Sequence, residues 1–87
     1  MIPRVLLAKS NHDAHTTATL EWHWRWLGGR TYRAHDGLVV ERINAANDLR
    51  GLPDGTKVFI GHGAKERADW PLVTSLAATG RIELVQL

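Results

Sequence analysis

The stretch TLEWHWRWLGG, residues 19–29, decides how the rest of the chain is read, because Trp22, Trp24 and Trp26 stand at every second position. On a strand the three indoles share one face, Glu21, His23 and Arg25 share the other, and Gly28 and Gly29 make a two-residue hairpin turn. On a helix, Leu20, Trp24 and Leu27 form one stripe at i, i+4, i+7, while Ala18, Trp22 and Trp26 lie nearly opposite. Such a helix is apolar on two sides and cannot bury both against a single sheet.

The flanks and the connectivity favour the helix. Ser10, Asn11, Asp13, Thr16 and Thr17 supply cap residues before it, and the glycine pair suits its end. RVLLA (4–8) reads as a first strand and RTYRA (30–34) as a second. DGLVVERINAANDLRGL (36–52) reads as a helix with Leu38, Val39, Ile43, Ala46 and Leu49 apolar, and TKVFIG (56–61) as a third strand. RADWPLVTSLAATG (67–80) gives a helix with Pro71 in its first turn, and RIELVQL (81–87) a last strand.

A helix over 16–27 makes the order βαβαβαβ. The expectation is one small flavodoxin-like α/β domain over residues 1–87, its four-stranded, mainly parallel sheet ordered 2-1-3-4 and flanked by three helices. The alternative is an α+β fold with a Trp-rich β-hairpin at 20–35.

At 87 residues, 44% hydrophobic and 23% charged, the composition is that of a globular domain that buries only about 60 to 65% of its unfolded surface. The absence of cysteine excludes disulfides, thiolate metal sites and cysteine nucleophiles, and fits a cytoplasmic home. No apolar run approaches the roughly 20 residues that span a bilayer, so no membrane partner is expected. The net charge of +2 is spread among eleven basic and nine acidic residues, which makes a nucleic-acid partner a poor fit.

RVLLA followed by WLGGRTYRAHDG resembles the first half of a response-regulator receiver domain. That family's acidic pair would fall at Lys9 and Ser10, and its phospho-acceptor aspartate near Gly61 or His62, so aspartyl phosphorylation there is excluded. VFIGHG is similar to the strand that ends in the catalytic His-Gly of caspase-like peptidases and to the GHG of sirohydrochlorin chelatases. The peptidase chemistry lacks its cysteine here.

Three sets of residues are candidates for function. Trp22 and Trp26 with Arg25 have the composition of a protein interface or a homodimer seam. Gly61, His62, Gly63 and Lys65 could form an anion-binding loop, the glycines admitting backbone N–H groups to a ligand. His12, Asp13, His15 and His62 could supply imidazole and carboxylate ligands to a metal. The reading that follows is a small non-catalytic domain that binds a protein partner or itself and needs no cofactor. The alternative is a ligand- or metal-binding enzyme with its crevice at the carboxyl ends of strands 1 and 3.

Overall fold

The decisive stretch divides between the two readings, helical through Glu21 and strand from Arg25. The computed structural model describes residues 3–87. Strand β1 (Arg4–Leu7) leads into helix α1 (Asn11–Thr16), which continues as a π-helical turn over Thr17–Glu21 and then stops. A meander follows, of β2 (Arg25–Gly28), β3 (Thr31–Arg33) and β4 (Val39–Arg42). A 3-10 turn (Ala46–Gly51), β5 (Thr56–Ile60), a second 3-10 turn (Ala64–Glu66), helix α2 (Trp70–Ala78) and β6 (Ile82–Val85) complete the chain.

The sheet therefore corrects the flavodoxin-like expectation. It has six strands in the order β2-β3-β4-β1-β5-β6 instead of four in the order 2-1-3-4, and it is mixed instead of mainly parallel. β4, β1, β5 and β6 run parallel, whereas β3 is antiparallel to both neighbours. The α+β alternative with a hairpin inside 20–35 fits better, and the receiver-like strand order falls with the first expectation.

The causes are local in one place and distant in the other. Ser10 caps α1 by accepting from the Asp13 N–H at 3.2 Å. Thr17 and Thr19 then turn their hydroxyls back onto the carbonyls of Asp13 and His15, a bonding pattern that bends helices. The Trp22 N–H reaches the Thr17 carbonyl and the Trp24 N–H that of Ala18, and His23 adopts φ 57°, so the helix unwinds before Arg25. Gly28 and Gly29, at φ 104° and 52°, make the reversal into β3.

The helix expected over 36–52 is mostly strand and 3-10 turn. Gly37 at φ 82°, beside an Asp36 carboxylate that accepts from the Leu38 N–H, turns the chain, and β4 then alternates with Val40 buried and Val39 exposed. Its spacing of apolar residues suits a helix, but β4 is fixed by pairing with β1 on one side and β3 on the other.

Each face of the sheet carries its own core. On one side α2 and the first 3-10 turn cover Val5, Leu7, Val58, Ile60 and Ile82. On the other, α1 and its π-helical turn cover Leu6, Val40, Phe59, Tyr32 and Trp24. α2 covers only the parallel half, so Arg25, Arg33, Val39 and Glu41 on the same side of the meander are exposed.

Candidate functional site

The tryptophans divide between core and surface. Trp24 is 6% exposed and meets the Phe59 ring edge-on at 5.1 Å. Trp22 packs on Trp24 at 4.8 Å, half-buried at the end of the π-helical turn, and its carbonyl bonds the His35 ring. Trp26 lies on β2 and is 52% exposed. Its indole N–H donates to the Gly29 carbonyl at 3.0 Å, and the ring of His15 meets it edge-on at 5.1 Å, so the exposed indole is held in one orientation. Arg25 and Trp22, expected to share a surface with Trp26, do not: Arg25 projects from the opposite face of β2, and Trp22 belongs to the core margin.

β2 is an edge strand. β3 takes one side of it, and no strand among the described residues takes the other. A register shift between Trp26 and Gly28 confines regular pairing to its first residues. Leu27, the next residue along this strand, is 40% exposed. In register, Arg25 stands opposite Arg33 and Trp26 opposite Tyr32. Arg33 and Tyr32 went unnoticed as surface and support for this hairpin, although a turn at the glycine pair already brings them across from Arg25 and Trp26.

Beneath Trp26 lies a polar chain. Tyr32 is fully buried, Arg42 Nη1 donates to its hydroxyl at 3.2 Å, and the hydroxyl hydrogen-bonds with His15 Nδ1 at 2.8 Å. Arg42 Nε is buried with no hydrogen-bond partner among the described residues. Tyr32→Phe removes the acceptor that Arg42 Nη1 uses, beside an Nε that already lacks one. We expect a loss of about 1–3 kcal/mol in urea unfolding, with His15 no longer held against Trp26. A change of a few tenths would show that water replaces the phenol.

At the carboxyl ends of β1, β4 and β5 the structure is occupied with its own closure. Arg67 donates to the carbonyls of Ala8, Lys9 and Asn44 and to both oxygens of Asp69, while Asp69 also accepts from the Ala46 N–H. This pairing brings the Asp69 carboxyl down to about 2, chiefly through the hydrogen bonds from Arg67. The His62 N–H donates to Thr17 Oγ1, and the Lys9 N–H donates to the His62 carbonyl. A Cβ on Gly61 would stand 2.9 Å from that of Ala8, and one on Gly63 2.7 Å from that of Lys9. Both glycines thus have a packing reason independent of any ligand.

Gly61, His62, Gly63 and Lys65 nevertheless line one cavity of about 410 Å³, which Glu21 and Trp22 also line. The metal set is not assembled in this way. Among the described residues no three His, Asp or Glu side chains come together as an ion-holding group. Asp13 accepts from Ser10 Oγ at the start of α1, and His15 is turned to Tyr32. Also among the described residues, no helix is long and apolar enough to cross a membrane. The chain matches no protein family, no curated protein and no solved structure.

Proposed function

We propose that this chain is an interaction domain without catalysis of its own, which receives a protein partner along the open edge of β2. The observation that carries the reading is Trp26: a large indole, held in place by the Gly29 carbonyl and His15, stands half exposed beside unpaired strand backbone. An added strand would satisfy that backbone and cover the indole, the usual geometry of strand-addition recognition. Leu20 in the π-helical turn, which packs against β2 and is 70% exposed, extends the apolar surface.

The second reading, a domain that holds a small anion between Gly61, His62, Gly63 and Lys65, draws on the cavity these residues line. One experiment separates the two. A photo-crosslinking side chain is placed in turn at Leu27, at Leu84 on the opposite edge strand, and at His62, and each protein is irradiated in extract of the source cells. The interaction reading expects a protein adduct from position 27 that disappears on Trp26→Ser, with none from 84 or 62. Equal labelling from all three positions, or none from 27, contradicts it.

A further inference from the structure

The charge around β2 specifies what kind of strand fits there, an inference that rests on the interaction reading above. Arg25 and Arg33 are directly opposed across β2 and β3, on the face that α2 leaves open. Like charges so placed weaken a sheet. Among the described residues neither arginine forms an ion pair: Glu41 pairs with Arg30 at 3.4 Å, Asp36 with Arg4 at 3.0 Å, and Arg33 donates to the Gly37 carbonyl. Arg25 has neither an ion-pair nor a hydrogen-bond partner among the described residues.

A second copy of the chain does not answer this charge. Antiparallel pairing of β2 with itself would add the partner's two arginines to the same face and gather four guanidinium groups there. An added strand of suitable chemistry instead presents alternate residues to the two faces. On the open face these meet Arg25 and, one strand further, Arg33. On the other face they meet Trp26.

We propose that the β2 edge receives an extended segment of another protein in which carboxylate side chains alternate with apolar ones. The carboxylates pair with Arg25, relieving its repulsion with Arg33, and the apolar side chains lie on Trp26.

The test is an NMR titration of the isotope-labelled chain with a short capped peptide alternating Glu and Val, and with its Lys–Val counterpart. The Glu–Val peptide is expected to shift the amides of Arg25–Gly28 saturably, and the Lys–Val peptide to leave them unmoved. Arg25→Glu should weaken the first by roughly tenfold and allow the second to bind. The spectrum itself reports whether that exposed substitution has preserved the fold.

Equal binding of both peptides, no binding of either, or shifts confined to the β6 edge overturns the proposal. So does a short single-stranded RNA that moves the same amides more strongly than the acidic peptide. Crosslinking at position 27 that persists while the acidic peptide fails removes the acidic partner but leaves the edge reading standing. Failure of both removes the two together.

Discussion

Replacing Arg67 with methionine is expected to cost about 3–5 kcal/mol, because it strips hydrogen bonds from the chain ends of β1 and β4 and leaves the half-buried Asp69 carboxylate with the Ala46 N–H but without its cation. The Arg67 side chain is 13% exposed, and its donors are committed to the carbonyls of Ala8, Lys9 and Asn44 and to Asp69. A chain of this length has a total stability of only about 4–13 kcal/mol, at roughly 0.05–0.15 kcal/mol per residue. Each kcal/mol moves the melting temperature by about 4–8 °C at this size, so a fall of roughly 12–40 °C is expected in a thermal scan.

Acid gives a second arm to the same test. Because folding lowers the Asp69 carboxyl from 3.8 to about 2, its stabilisation is complete above the ordinary value and is lost as pH falls through the folded one. The carboxylate side chain is 32% exposed, so solvent screening reduces this contribution to about 1 kcal/mol. The parent protein should therefore weaken between about pH 4 and pH 2, and Arg67→Met should lack that component. A melting temperature within a few degrees of the parent would show that Arg67 behaves as an ordinary surface cation.

Trp24→Ala should be comparably severe, at about 3–5 kcal/mol, since it empties the space between Phe59 and Trp22 in the α1-side core. Trp26→Ala, one strand position pair further on, should cost less than about 1 kcal/mol, its indole being half solvated in the free protein. Urea denaturation of the two variants tests the division of roles directly. Equal losses would mean that Trp26 belongs to the core, and the edge would lose its anchor.

The parts of the fold that were legible in the sequence are those whose signals are local. β1 and β5 are short apolar runs, α2 carries Pro71 in its first turn, and β6 follows a glycine at φ 78°. The indole alternation was legible too, and it pointed to a hairpin. The cap residues that favour a longer helix belong to a shorter one ending in a π-helical turn at Glu21. Over 36–52 the apolar spacing satisfies a helix, and only the pairing of Val40 and Glu41 with residues of β3 and β1 makes it a strand.

The placement of the candidate residues is legible in the same uneven way. Neighbours in sequence, Gly61, His62, Gly63 and Lys65, do share a cavity. The placing of Trp22 depended on Trp24 and Phe59, and the role of Arg67 on a carbonyl 59 residues away at Ala8. Composition also hides local charge: a net +2 spread along the chain says nothing of two arginines set opposite each other by a hairpin register.

The claim that β2 is the docking edge is tested most directly by amide hydrogen exchange on the chain, free and in complex with the partner captured at position 27. The account predicts slowed exchange at Arg25–Gly28, with β6 and residues 61–66 unchanged. Protection appearing at β6 or around His62, with β2 exchanging as in the free protein, would contradict it.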